Sequence, residues 1–250
     1  VLLGLFLGGA SSATVVVWLI QGDWRWAFLA MRVGFWGFLL PVYGSIAHRM
    51  IPFLTGNQLR HPRALLHGFV LLCIVRLALE LRHAYHLLWL ADIPLLMLVS
   101  WAGWRWRCWR SRGNPLAAGL CIAWAMLWLG LAFGVFQDLQ LARTGGFVLG
   151  RAPQHLIGIG FFGAMLVTTT TRKLLDENRY RRPLVLSALI AIGGSCLAAL
   201  LRAGAELAVV QAPSLMAISA GLWIVSVLPW CLVVAAIVLR AGPARERNRG

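Results

Sequence analysis

Charged residues are scarce in this sequence, and acidic residues are the scarcest. Only 12% of the 250 residues are charged and only 8 are Asp or Glu, whereas a soluble domain has about 25% charged residues. Hydrophobic residues make up 60% of the chain, and Trp, which prefers the membrane–water interface, occurs 13 times. A soluble domain of this size could not hide so much apolar surface from water. The composition therefore predicts an integral membrane protein in contact with a lipid bilayer.

The sequence also lacks paired cysteines. Its five Cys residues form no CxxC pair, and no CxxCH haem-attachment motif is present. Four of them lie inside apolar segments, where Cys behaves as a small hydrophobic residue. We therefore expect no structural disulfide.

The excess of basic residues has two interpretations. A net charge of +15 on a soluble protein would suggest nucleic-acid binding. Here the basic residues lie in short connections between apolar segments, which is how a membrane protein sets its orientation. We therefore expect no nucleic-acid partner.

The chain is predicted to be an all-α, polytopic transmembrane helix bundle with about eight spanning helices. A spanning helix needs about 20 mostly apolar residues, and no strong internal repeat is visible among the stretches that qualify. Residues 1–240 are predicted to form the transmembrane domain and residues 241–250 a disordered basic cytoplasmic tail. The predicted spans are Val1–Ile20, Ala27–Ala47, Ala64–Glu80, His86–Trp104, Pro115–Phe136, Pro153–Lys173, Leu184–Leu201 and Pro213–Leu239.

Basic residues predict the orientation, because cytoplasmic connections carry the excess of Lys and Arg. The odd-numbered connections are poor in them, with Arg25, Arg82, Arg143, Arg151 and Arg202. The even-numbered connections and the tail are rich in them, as in Arg49, Arg60, Arg63, Arg105, Arg107, Arg110, Arg112, Arg172, Lys173, Arg179, Arg181 and Arg182. The even connections and both termini are therefore predicted to be cytoplasmic.

With this orientation, ionisable residues gather in the outer half of the bundle. Placing an ionisable side chain within a bilayer costs a few kcal/mol, and such side chains usually face the bundle interior. The group is therefore a candidate functional site. Histidines with carboxylates can ligate iron, copper or zinc, or relay protons. The members are Arg32, Arg76, Glu80, His83, His86, Asp92, Asp138 and His155.

Structural roles are the alternatives for these residues. Arg32 could extend to the outer interface, and Arg76 with Glu80, four residues apart, could form a structural pair. His83 and His86 could be water-exposed loop residues. His155 follows Pro153 at a helix start, where capping is its alternative.

The cytoplasmic half holds further polar features. His48 and Arg49 leave the second helix ahead of a Pro-Phe pair, which suits either an ordered loop or a helix stop. The threonine run at 168–171 is expected to bond back to its own helix. The glycines in 158–163 match a GxGxxG pattern by letter only, and close helix packing explains them better.

Two stretches resemble the NnrS family. They are Ala47-His48-Arg49-Met50-Ile51-Pro52-Phe53-Leu54-Thr55, and Gln154-His155-Leu156-Ile157-Gly158-Ile159-Gly160-Phe161-Phe162-Gly163-Ala164-Met165 followed by Thr171-Arg172. The resemblance covers most of the chain, as the C-terminal two-thirds of a typical member. After Arg172 this chain reads 174–179 as Leu-Leu-Asp-Glu-Asn-Arg, where the family usually has Gly-His-Thr-Gly-Arg.

The resemblance implies a haem- and copper-containing, multi-pass protein of the bacterial cytoplasmic (inner) membrane, linked to nitric oxide and nitrosative stress. His155 matches the family histidine that opens the Gly-rich helix. Arg49 matches the arginine of the Arg-Pro-Phe loop, and Arg172 matches the arginine that closes the sixth helix.

The leading hypothesis is a haem site near the outer face. His155 with His83 or His86 would ligate the metal, and Arg32 or Arg76 would bind the haem propionates. The alternative is a non-catalytic subunit or assembly helper that works with partner membrane subunits. A transporter of an ion or small solute ranks third, because no inverted repeat is visible.

Overall fold

The computed structural model describes residues 2–56, 63–108, 114–175, 181–208 and 212–247. These residues form helices and turns, with no strand among them, so the predicted all-α class is confirmed. Several residues used for the predictions above lie outside the described residues, namely Arg60, Arg110, Arg112, Asp176, Glu177, Asn178 and Arg179.

Ten α-helices and two π-helices make up the described chain, with one 3₁₀ turn at Tyr85–Leu87. The first half contains α1 (Leu2–Gln21), α2 (Trp24–Arg32), π1 (Val33–Leu39), α3 (Leu40–Leu54), α4 (Arg63–Leu81) and α5 (Trp89–Arg105). The second half contains α6 (Pro115–Thr144), α7 (Ala152–His155), π2 (Leu156–Phe162), α8 (Gly163–Leu175), α9 (Arg181–Leu207) and α10 (Ala212–Arg247).

The π-helices join shorter helices into longer runs. The run α2–π1–α3 covers Trp24–Leu54 and counts as one membrane span, and α7–π2–α8 forms a second run of the same kind. Pro41 comes two residues after π1. Because proline has no backbone N–H, it cannot donate the regular α-helical hydrogen bond at that point. Counted as continuous runs, the described helices therefore number eight.

Seven of these runs are long and apolar enough to cross a membrane. The exception is α7–π2–α8, whose ends hold the polar residues Gln154, His155 and the threonines at 168–171. The predicted polytopic membrane protein is confirmed. α10 continues to Arg247 and so enters the segment predicted as a tail, while the division into bundle and tail stays a prediction.

The chain divides into two compact units. The first unit comprises Val1–Arg110 and Leu131–Leu149, and the second comprises Ser111–Gly130 and Gly150–Gly250. Helix α6 contributes its residues 131–144 to the first unit and 115–130 to the second.

The core of the first unit lies between α3, α4 and α5. Leu40, Ile51 and Leu95 are fully buried there. Gly44 of α3 touches the ring of Phe69 so closely that a Cβ atom would collide with it. The missing side chain is therefore what lets α3 and α4 approach each other.

The second unit packs π2 and α8 against the first half of α6. A Cβ atom on Gly160 would lie 3.1 Å from Met126, which confirms close helix packing at this glycine. Thr168 and Thr169 donate to the carbonyls of Ala164 and Met165, as predicted for this run. Thr171 differs, because its hydroxyl accepts a hydrogen bond of 2.9 Å from Nε1 of Trp230 on α10.

Candidate functional site

Five charged residues of the first unit meet in one place, which we call the arginine–carboxylate cluster: Arg32, Arg76, Glu80, Asp92 and Asp138. Arg32 ends α2, and Arg76 and Glu80 occupy the last turns of α4. Asp92 lies in the first turn of α5, and Asp138 lies on α6. The members come from four helices, so the fold brings together residues that the sequence only placed in the outer half of the bundle.

Ion pairs connect the cluster. Arg76 Nη1 lies 2.8 Å from Glu80 Oε1, and Arg76 Nε lies 2.7 Å from Asp92 Oδ1. The guanidinium of Arg76 also lies over the ring of Trp36, 4.8 Å from its centroid. All three charged residues are at most 4% exposed. Their charges are therefore stabilised by one another rather than by water. The structural pair considered for Arg76 and Glu80 is therefore present.

Arg32 joins the same cluster from α2. Its Nη1 atom lies 3.2 Å from Glu80 Oε2, and its guanidinium lies 5.2 Å from the centroid of the Phe28 ring. The side chain is 27% exposed. Arg32 therefore binds a buried carboxylate, while part of its own side chain stays exposed.

Asp138 is the fifth member of the cluster. It is 2% exposed and lies close enough to Asp92 and Arg76 for its charge to interact with theirs. The cluster therefore contains two arginines and three carboxyl groups.

His83 and His86 lie in the connection between α4 and α5. The ring of His83 stacks on Phe28 at 5.6 Å between centroids, and its Nδ1 atom lies 3.1 Å from the Tyr85 hydroxyl. His86 sits on the 3₁₀ turn and is exposed. Both are thus at the surface of the first unit, whereas His155 belongs to the second.

The second unit contains a smaller polar group, which we call the His155–Glu206 site: His155, Glu206, Arg151 and Arg202. His155 Nε2 lies 3.2 Å from Glu206 Oε1, and the two side chains are 20% and 18% exposed. Among the described residues, His155 Nδ1 has no hydrogen-bond partner. The site therefore holds one histidine oriented by a carboxylate.

The turn before α7 shapes this site. Arg151 donates its backbone N–H to Glu206 Oε2 at 3.3 Å. Gly150 has a positive φ of 52°, and a Cβ atom there would collide with the Glu206 carboxylate. Arg151 and Arg202 are close enough to His155 to act on its charge. Cations therefore outnumber carboxylates in this group.

A family comparison covers both units. The model of the family described as NnrS protein matches residues 1–241, nearly the whole chain.

The chain belongs to the NnrS family.

The family predicted from the two sequence stretches is thus confirmed, and the matched region is wider than those stretches. No curated protein matches the chain, and no solved structure matches it.

The motif residues on the predicted inner side of this NnrS-family chain are members of neither polar group. His48 is buried on α3, with its ring 6.1 Å from that of Trp106, and Arg49 beside it is exposed. Thr55 donates to the carbonyl of Trp106 at 3.2 Å, so this helix end is ordered against the end of α5. Arg172 is half-buried in the last turn of α8.

Glu206 and Arg202 are site residues that the sequence patterns did not reveal. The charge pattern indicates only an orienting role for Arg202 and no role for Glu206. A signal is nevertheless present, because Arg202 and Glu206 are four residues apart near the end of α9, as Arg76 and Glu80 are near the end of α4. That spacing puts both side chains of each pair on one helix face.

Proposed function

We propose that this NnrS-family membrane protein binds haem at the His155–Glu206 site and acts in nitric oxide metabolism or tolerance of nitrosative stress. The observation that carries the proposal is the hydrogen bond between His155 and Glu206. Family membership supports the connection with nitric oxide, and the local chemistry supports the choice of His155.

The donor set at His155 fits a residue that would hold haem iron. A histidine that ligates a metal almost always donates its other ring N–H to a carboxylate, carbonyl or water, which fixes the tautomer and makes the ligating nitrogen more basic. Glu206 supplies that carboxylate at 3.2 Å and leaves Nδ1 for the metal. A bound haem would supply an iron centre able to coordinate nitric oxide. His155 would hold the iron, and Glu206 would orient the imidazole.

The predicted pairing of His155 with His83 or His86 stays a prediction, because those two histidines belong to the first unit. His83 shares its Nδ1 atom with the Tyr85 hydroxyl, and His86 is exposed on the 3₁₀ turn.

The described residues do not fit a copper site that they could build alone. No group of three or more His, Cys, Asp or Glu side chains among them could hold a metal ion. The copper expectation therefore stays a prediction, and metal analysis of the purified protein tests it.

The visible spectrum of the protein tests the haem proposal. We expect the full chain, purified with lipid from cells supplied with haem, to show a Soret band. His155→Ala should shift or abolish that band, because the iron loses its ligand. His67→Ala is the matched control, since His67 lies on the exposed side of α4, and it should leave the spectrum unchanged. A wild-type preparation without a Soret band would overturn the proposal.

A further inference from the structure

The two units repeat the same design. In each, a glycine with positive φ comes two residues before a broken helix: Gly22 before α2 and Gly150 before α7. In each, the short helix leads directly into a π-helix of seven residues. π-Helices are rare and are concentrated at functional sites, so two of equal length at corresponding places indicate a common origin.

Matching residues follow the same plan. Arg32 and His155 each stand directly before a π-helix, and an arginine follows at the same spacing in each unit, Arg49 and Arg172. The next helix then ends with Arg-x-x-x-Glu in both units, at 76–80 and at 202–206. The repeat survives in a few positions and in helix geometry rather than in the overall sequence, which is why no strong internal repeat is visible in the sequence alone.

The contacts repeat as well. Glu80 lies 3.2 Å from the basic residue before π1, and Glu206 lies 3.2 Å from the histidine before π2. Each unit thus places a side chain from the end of its short helix against a glutamate from the following helix. The arginine–carboxylate cluster and the His155–Glu206 site are two versions of one structural position.

The two versions differ in charge. In the first unit, Asp92 at the start of α5 pairs with Arg76. The corresponding helix of the second unit, α10, has no acidic residue before Glu246 at its far end. Arg202 is half-buried and forms no ion pair among the described residues, while Glu206 is bound to His155 and to the Arg151 N–H. The second unit therefore keeps the arginine, but its α10 has no acidic residue in the place that Asp92 has at the start of α5.

We propose that Arg202, with His155 and Glu206 beside it, forms an anion-binding site that takes a carboxylate group in the role that Asp92 has beside Arg76. A guanidinium binds a carboxylate through paired N–H donors, and such charge-assisted bonds strengthen away from water. In the first unit the chain itself supplies the carboxylate, so a ligand carboxylate is expected only at Arg202 in the second unit.

The carboxylate has two sources. One is a haem propionate, and this source rests on the proposed function. The other is a small free anion, for which formate is the probe, and this source does not need haem. Arg32 and Arg76, the arginines that the sequence predicts to bind propionates, are already paired with carboxylates of their own chain.

The experiment compares wild type, Arg202→Gln and Arg82→Gln as full chains in lipid. Arg82 is an exposed arginine just after α4 and serves as the matched control. The first measurement titrates each protein with haem and with haem dimethyl ester, whose propionates carry no charge. The second follows the unfolding temperature as sodium formate is added. Arg202→Lys, which keeps the charge, reports whether a loss reflects charge or misfolding.

If the ligand is a propionate, wild type and Arg82→Gln bind haem about tenfold or more tightly than its ester, and Arg202→Gln loses this preference. If the ligand is a small free anion, formate raises the unfolding temperature of wild type and Arg82→Gln in a saturable way but not that of Arg202→Gln. Arg202→Lys should restore part of either effect.

Two results separate failure of this proposal from failure of the haem proposal. A wild type that binds no haem but is stabilised by formate through Arg202 would overturn the haem function and leave the anion site standing. A wild type and an Arg202→Gln variant that show the same haem preference and the same response to formate would overturn the anion site.

Discussion

Arg76 and Asp92 join two consecutive helices of the first unit, with Nε of the arginine 2.7 Å from Oδ1 of the aspartate. Both side chains are buried. Removing one partner would leave the other as a buried charge with one fewer counter-charge, which is far more costly than losing a surface ion pair. The cost is measurable as a loss of stability.

Asp92→Ala should lower the free energy of unfolding by about 3–5 kcal/mol, because Arg76 stays buried and loses the carboxylate that lies 2.7 Å from its Nε atom. Thermal unfolding of the purified protein in detergent measures the loss. Asp23→Ala is the control, since Asp23 caps α2 by accepting the Arg25 N–H, and losing a cap costs about 1 kcal/mol. Equal losses in the two variants would contradict a special role for the buried pair.

Gly150→Ala should destabilise the second unit more than Gly145→Ala destabilises the end of α6. Both glycines have positive φ, 52° and 72°, so both variants incur backbone strain of about 1–2 kcal/mol. Only Gly150 has the Glu206 carboxylate in the way of a new Cβ atom, whereas nothing lies within 4 Å of that position at Gly145. Unfolding temperatures that fall equally would show that Glu206 does not occupy this place.

Gly160→Leu should destabilise the protein by about 1–3 kcal/mol through overpacking against Met126. Its control is Gly221→Leu on α10, where a new Cβ atom would have nothing within 4 Å and where leucine favours the helix more than glycine does. We expect Gly221→Leu to be neutral or slightly stabilising in the same unfolding assay. A neutral Gly160→Leu would argue against close packing of π2 on α6.

Orientation can be tested with single cysteines in a background whose five native cysteines are changed to alanine. Gly146 lies in the exposed connection after α6, and Lys173 is exposed at the end of α8. The positive-inside rule predicts that a membrane-impermeant maleimide labels Gly146→Cys in intact cells and Lys173→Cys only after the membrane is opened. The opposite pattern would reverse the predicted topology.

Much of the first cluster could be predicted from the sequence. Spacing by four residues put Arg76 and Glu80 on one face, and alternating spans put Asp92 and Asp138 in the same outer half of the bundle. Sequence reasoning could not decide between interface and interior for Arg32, because its partner Glu80 lies on another helix. Depth follows from local composition, whereas partner choice follows from packing between helices.

The second site was harder to predict. A family motif points to His155, but its partner Glu206 comes from α9, far along the chain. The π-helices also escaped prediction, since a π turn has no residue signature and depends on what surrounds the helix. Pro41 after π1 is the one local hint, and π2 has no proline in the corresponding place.

π1 also changes the rotational phase of the helix that contains it. Successive residues of a regular helix are about 100° apart around its axis, and a π turn holds an extra residue. The side chains of α3 therefore point in directions different from those they would have if α2 continued as a regular α-helix. Arg32 can therefore face Glu80 while Leu40 and Ile51 face the core. A one-residue deletion within Val33–Leu39 would return the run to a single phase and turn either the arginine or the apolar face away from its partner. The number of residues in π1 therefore decides whether both faces of the Trp24–Leu54 run meet their partners.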